Sequence, residues 1–248
     1  MNTPAILTLY GGNSPNVRKV GILLEELGLE YALRHVGVFT GEQFDPRFLM
    51  LNPFGKVPVL VDPGLDLPLY ESGAILFYLA ERHQRFFPTD GAARYDTMKW
   101  LMVQMAMVGP MFGQLNHFRL VLPRGTEPYA EARYAEQTER ILRELDRQLA
   151  TRPWIAGNDY SIADMAIYPW SLYLEGYGFS ADKHPALLAW RDKITARPAI
   201  ARCNQRFKDA FSTLSEQSRR AATDADLDRF FGRTQSVPPA DYSNVRRL

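Results

Sequence analysis

One cysteine, Cys203, stands in a chain of 248 residues, so no intramolecular disulfide can form and no protein thiol is available before residue 203. Thiol chemistry would therefore need a sulfur supplied by a ligand. Cys203 itself follows Ala199-Ile200-Ala201 in a helical pattern and reads as a small buried core residue in a reducing compartment. Histidine is also sparse: His35, His83, His117 and His184 are scattered without the spacing of metal ligands, and no metal is expected. An excess of one charge is missing too. Twenty-nine Lys plus Arg against 28 Asp plus Glu leave a net charge of +1, which provides no global field to recruit nucleic acid or an anionic membrane. A small-molecule partner is expected instead. No apolar run approaches the ~20 residues of a membrane span, and Met1-Asn2-Thr3-Pro4 lacks a basic segment leading into a signal-length apolar stretch. The expectation is a soluble, cytoplasmic protein.

The elements that are present change character along the chain. Ile6 to Tyr10 reads as a strand, and Ser14-Pro15 opens a helix through about Leu27, with Gly28 as its stop. Tyr31 to Val38 reads as a second strand, Pro46 to Met50 as a short helix, Val57 to Val61 as a third strand and Leu69-Tyr70 as a fourth. A helix from Glu71 to about His83 closes the unit. This order fits a small mixed sheet, because the first crossover demands parallel strands and the later short turn permits an antiparallel pair. From Arg94 onward strand signals vanish, and segments 94–118, 128–150, 162–177, 185–196 and 199–212 read as helices. Ser161-Ile162-Ala163-Asp164 has capping-box spacing before an apolar run, a structural cap on a buried helix. The expected organisation is an α/β domain over 1–86, an all-α bundle over 92–212 and a polar tail over 213–248, with Phe230-Phe231 packing that tail back.

Two linked signals lie between Asn52 and Ile75. In Asn52-Pro53-Phe54-Gly55-Lys56-Val57-Pro58, Pro58 enters a strand where it cannot donate to the ladder, leaving the preceding backbone to pair with an extended, peptide-like ligand. Glu71-Ser72-Gly73 then opens a helix. Glu71 offers an acceptor for an ammonium group, while Ser72 and the helix N-terminus offer donors for a carboxylate. A γ-glutamyl group carries both. Taken singly, each half is also what an edge-strand proline or an ordinary helix cap would show.

The combined pattern resembles the cytosolic glutathione transferases, over roughly residues 5–210. The resemblance implies a thioredoxin-like α/β N-terminal domain plus an all-α C-terminal helical bundle, the glutathione transferase fold. Three further stretches resemble the Nu class: Ser14-Pro15-Asn16, Gly109-Pro110-Met111-Phe112-Gly113-Gln114-Leu115-Asn116-His117-Phe118, and Pro128-Tyr129-Ala130-Glu131-Ala132-Arg133-Tyr134. Members of that class act as glutathione-dependent disulfide-bond reductases. By itself, Gly109-Pro110 is equally a helix kink.

What the resemblance implies fits the residues. Glutathione is a poor nucleophile as a thiol, and an N-cap Ser14 followed by Pro15 at the first helical position would turn unpaired N–H groups and the positive helix end toward its sulfur. Asn16 adds amide donors. Ser14 stands where the class usually has Thr and keeps the hydroxyl; Tyr10 is a rival but belongs to the strand. By position, Gln43 would reach the glycyl end, Lys56 a carboxylate, Val57 with Pro58 the cysteinyl backbone, Glu71 and Ser72 the γ-glutamyl end, and Arg133 the cleft. Glutathione is then the cosubstrate, two molecules or their disulfide occupy the cleft, a small disulfide is the second substrate, and the protein is a homodimer. The rival functions are conjugation of glutathione to electrophiles, with the Met- and aromatic-rich stretch from Trp100 to Phe118 as an apolar pocket or simply core, and a non-enzymatic interaction module.

Overall fold

The computed structural model describes residues 6–233 and 240–247. In chain order the regular elements are β1 (Leu7–Gly11), α1 (Pro15–Leu27), β2 (Tyr31–His35), α2 (Pro46–Leu49), β3 (Val59–Val61), β4 (Leu69–Tyr70), α3 (Ser72–His83), α4 (Gly91–Val103), α5 (Gly109–Asn116), α6 (Pro128–Leu149), α7 (Ile162–Ser171), α8 (Pro185–Thr195), α9 (Pro198–Ala221) and α10 (Asp224–Phe231). They fall into two compact units. One contains residues up to Leu79 together with the segment from Ala199; the other contains Ala80–Pro198 and the last residues from Ala240.

In the first unit the sheet order is β2-β1-β3-β4. The α1 crossover makes β1 and β2 parallel, with Leu9 opposite Leu33, while β3 runs antiparallel to β1 and to β4. Helix α1 buries Val17, Val20, Ile22, Leu23 and Leu24, and it stops at Gly28 in the left-handed conformation that only glycine adopts without strain. Helix α9 packs on α1 with Cys203, Phe207 and Phe211 buried. The approach is close: a Cβ on Gly21 would lie 2.5 Å from the Phe207 ring. Glu25 of α1 then accepts from Arg202 at 3.0 Å and Arg206 at 3.3 Å, fixing the pair at their edge.

The second unit is helical throughout. Between α4 and α5, and again after α5, the chain widens into π-helical turns at Gln104–Val108 and His117–Val121. The first ends with Gly109 N–H bonded to Gln104 C=O, immediately before Pro110. A proline here lacks a donor and its ring crowds the carbonyl four residues back, which the wider turn relieves. Gly109-Pro110 therefore deforms the helix without ending it. The stripe expected as a pocket or as core is core at Leu101, Val108, Phe112 and Leu115, all essentially buried.

Several boundaries differ from the sequence expectation. Strand β3 starts at Val59, leaving Val57 and Pro58 outside the ladder, and β2 ends at His35 because Gly37 turns the chain into a 3-10 segment, Val38–Thr40. Helix α7 stops at Ser171, where residues to Gly178 form successive turns and Gly178 is left-handed. The largest difference concerns the C-terminal segment. Helix α9 continues to Ala221, and residues 199–233 group with the first unit instead of dividing at 212 into bundle and tail. Phe230 does pack back, with its ring 4.9 Å from Phe39.

Candidate functional site

The site begins at the N-terminus of α1. Ser14 caps the helix in extended conformation, its Oγ accepting from Val17 N–H at a loose 3.4 Å, and Pro15 occupies the first turn. No acidic side chain sits in that turn. The Asn16 N–H points along the helix end without a hydrogen-bond partner among the described residues, so the positive end of the helix stays open to an anion.

A second wall comes from residues 52–58. Buried Asn52 shapes this loop by donating Nδ2–H to Lys56 C=O at 2.7 Å and accepting from Phe54 N–H at 3.0 Å. Gly55 is left-handed, and a Cβ there would meet the Phe44 ring at 3.0 Å, so glycine alone fits both the turn and the packing. The Val57–Pro58 peptide is cis, and no backbone group engages the Val57 N–H or C=O among the described residues. Gln43 completes the wall. It is 1% exposed, donates Nε2–H to Val38 C=O at 2.8 Å, and leaves its Oε1 buried with no partner.

A third group lies at the start of α3. Glu71 is a non-glycine residue in the left-handed region, φ 67°, and its C=O accepts from Ile75 N–H at 3.0 Å. Ser72 Oγ accepts from the Lys19 ammonium at 3.2 Å. Lys19 is buried at 1% exposure, and desolvation brings its pKa down to about 7 even though the Glu71 charge pulls it upward.

Ser14, Asn16, Gln43, Lys56 and Val57 all line one cavity of about 610 Å³ in the first unit. Pro58, Glu71 and Ser72 are not among its lining residues, and exposed Arg133 lies on α6 of the helical unit. Sequence reasoning missed part of this cavity: His35, Phe39 and, from the C-terminal helices, Ser212, Ser215, Arg219 and Phe230. The one sequence signal for them was the Phe230-Phe231 pair in an otherwise polar stretch. His35 Nε2 lies 3.3 Å from Ser215 Oγ, and burial lowers its pKa against the opposing Glu42 charge. Cys203 contributes nothing to the cavity lining; it is buried, and desolvation pushes its thiol up to about 12.

A small mixed sheet with a ligand cavity at the first helix N-terminus, followed by an all-helical unit, defines the glutathione transferase class of fold. The chain matches the family models for the glutathione S-transferase N-terminal domain over residues 5–81 and C-terminal domain over residues 107–198. It belongs to the glutathione S-transferase family. Among its relatives, the disulfide-bond oxidoreductase YfcG of Escherichia coli K12 is 39% identical over 199 residues, covering 78% of this chain and 92% of that protein. A glutathione transferase from Burkholderia graminis, crystallised with two glutathione molecules per subunit, is 39% identical with a TM-score of 0.77, covering 82% of this chain and 89% of that one. Another from Pseudomonas putida, with one glutathione disulfide bound per subunit, is 37% identical with a TM-score of 0.76, covering 82% and 92%. No helix of the described residues is long and apolar enough to cross a membrane.

Proposed function

We propose that this protein is a glutathione-dependent disulfide-bond oxidoreductase of the Nu-class type. The observation that carries the reading is the open N-terminus of α1, with unpartnered Asn16 donors facing a cavity that contains no protein thiol. A bound glutathione supplies the sulfur, and Ser14 and Asn16 favour its thiolate. Lowering a thiol pKa by about two units takes about 2.7 kcal/mol of differential stabilisation, within the reach of a few preorganised donors. The thiolate attacks one sulfur of a small disulfide, forming a mixed disulfide and expelling a thiolate that takes a proton. A second glutathione then attacks the bound glutathione sulfur, releasing the other substrate thiol and leaving glutathione disulfide. Two thiols are oxidised for each disulfide reduced, so no other reductant enters.

Gln43 serves the glycyl end, Lys56 a carboxylate, and the unengaged Val57 backbone beside Pro58 pairs with the cysteinyl backbone. Glu71 and Ser72 take the γ-glutamyl end, and Arg133 lines the cleft of the assembled protein. The names of the relatives support this reading, as does glutathione or its disulfide bound in the neighbouring structures. A cytoplasmic homodimer is carried over from the family resemblance. A second reading, conjugation to electrophiles, draws on Phe39, Phe44, Phe54 and Phe230, which give the cavity an apolar side.

The test compares glutathione-driven reduction of hydroxyethyl disulfide with conjugation of a chlorodinitrobenzene, in wild type and Asn16→Ala. Disulfide reduction should dominate and fall roughly 100-fold in Asn16→Ala, the scale of losing one preorganised donor to a developing anion. Conjugation as the sole wild-type activity would sink the proposal.

A further inference from the structure

One wall of the cavity lies outside the segments that the family models match. Their matches end at residue 198, whereas α9 runs to Ala221 and is followed by α10. This wall is built into the first unit. The Phe230 ring lies tilted against Phe39 with centroids 4.9 Å apart, the Arg229 guanidinium lies 4.4 Å from the Phe44 ring centroid, and Thr40 Oγ1 is 3.4 Å from Ser218 Oγ. A capping box on α10, with Thr223 and Asp226 exchanging hydrogen bonds, sets its start just past α9.

Among the described residues, the cations of this wall are mostly engaged, and the one that lines the cavity is not. Arg202 and Arg206 bind Glu25, Arg220 binds Glu216, Arg229 covers Phe44 and Arg233 binds Asp228. Arg219 is half-buried, lines the cavity and makes no hydrogen bond or ion pair among the described residues. Lys56, in the same lining, likewise has no ion pair among the described residues. Glu216, which also lines the cavity, pairs with Arg220, and partial burial favours the neutral form of half-buried His35, which leaves Lys56 and Arg219 as the cationic side chains of the lining. Gln43, in the same lining, presents a buried amide oxygen with no partner among the described residues, which requires an N–H donor. A carboxylate attached to an amide N–H satisfies all three groups together.

We propose that Arg219 joins Lys56 in a carboxylate subsite for the glycyl end of glutathione, with Gln43 Oε1 accepting from the glycyl N–H. The C-terminal helix pair thereby selects thiol peptides that end in a free carboxylate. This rests on the glutathione reading above and adds to it a specificity residue outside the segments matched by the two family models. Arg219 is an anchor for the ligand, remote from the reacting sulfur.

Calorimetric titration of the full chain with S-methylglutathione and with its glycyl ethyl ester tests this without requiring turnover. Arg219→Ala should weaken binding of the free acid about tenfold, the scale of one charge-assisted hydrogen bond, and that of the ester less than about twofold. Arg219→Lys should recover most of the loss, because the charge is kept. Equal weakening of both ligands, or no change in either, overturns the carboxylate subsite while leaving the glutathione reading in place. Failure of wild type to bind S-methylglutathione at all overturns both.

Discussion

Helices α1 and α7 both begin with a serine in extended conformation, and they use it to opposite ends. At α7 every donor near the cap is committed. Ser161 Oγ accepts from Ala163 N–H at 3.3 Å, and Asp164 accepts from Ser161 N–H at 3.0 Å, from Ile155 N–H at 2.9 Å and from Trp190 Nε1–H at 2.8 Å. A buried carboxylate closes the helix end. At α1 the corresponding position is Val17, which only donates to Ser14 at 3.4 Å, and no acid enters the first turn. An internal anion makes the one terminus structural; its absence leaves the other a receptor for an external anion.

The largest effect expected from breaking this contrast is at Asp164. Burial pushes its carboxyl upward while its four donors hold it down, with burial the larger influence. Asp164→Ala strands the Ile155 and Ser161 N–H groups and the Trp190 indole, at about 1–3 kcal/mol for each buried group left unsatisfied. A total loss of about 3 kcal/mol or more is expected in urea unfolding, with binding of S-methylglutathione unchanged in the variant that remains folded. A loss below about 1 kcal/mol would show that water replaces the carboxylate and that α7 is no more closed than α1.

How far these two helix ends could be read in the sequence follows from how local their signals are. Ser161-x-x-Asp164 and Ser14-Pro15 with Gly28 are short-range patterns, and both helices start where the pattern places them. The four strands and their mixed order were legible for the same reason, apart from edges such as Val57-Pro58, where the ladder starts two residues later than the apolar run. The C-terminal wall was not legible. Residues 213–221 are polar because their helix presents one face to solvent and lends Ser215, Glu216, Ser218 and Arg219 to the cavity, and such a sequence resembles a solvated tail in composition. Lys19 was hidden differently: nothing in Val17-Arg18-Lys19-Val20 marks which of two adjacent cations is buried. Packing decides it, placing Lys19 beneath Ser72 and Arg18 beside Asn13, 3.0 Å from its Oδ1.

Lys19 provides the next test, since α1 buries an ammonium where α7 buries a carboxylate. Its folded pKa of about 7 lies below the ordinary lysine value of 10.5, so between those values the unfolded chain holds a proton that the folded chain has lost. Stability therefore rises with pH across that window, by about 2 kcal/mol between pH 7 and pH 9 for this one group. Urea unfolding at the two pH values should show that gain in wild type, and Lys19→Met should flatten it. An unchanged pH dependence would mean that Glu71 keeps the ammonium charged in place.

The smallest effect separates the two serines themselves. Ser161→Ala should cost about 1 kcal/mol of stability, the usual loss for removing a working N-cap. Ser14→Ala should cost less, about 0.5 kcal/mol, because its bond to Val17 is long and the helix end is exposed to the cavity. Its loss should instead appear in turnover, as a severalfold fall in disulfide reduction that is relieved at higher pH, where the glutathione thiolate forms without help. Equal stability losses with unaltered turnover would make Ser14 a plain cap and leave Asn16 as the side chain that tunes the sulfur.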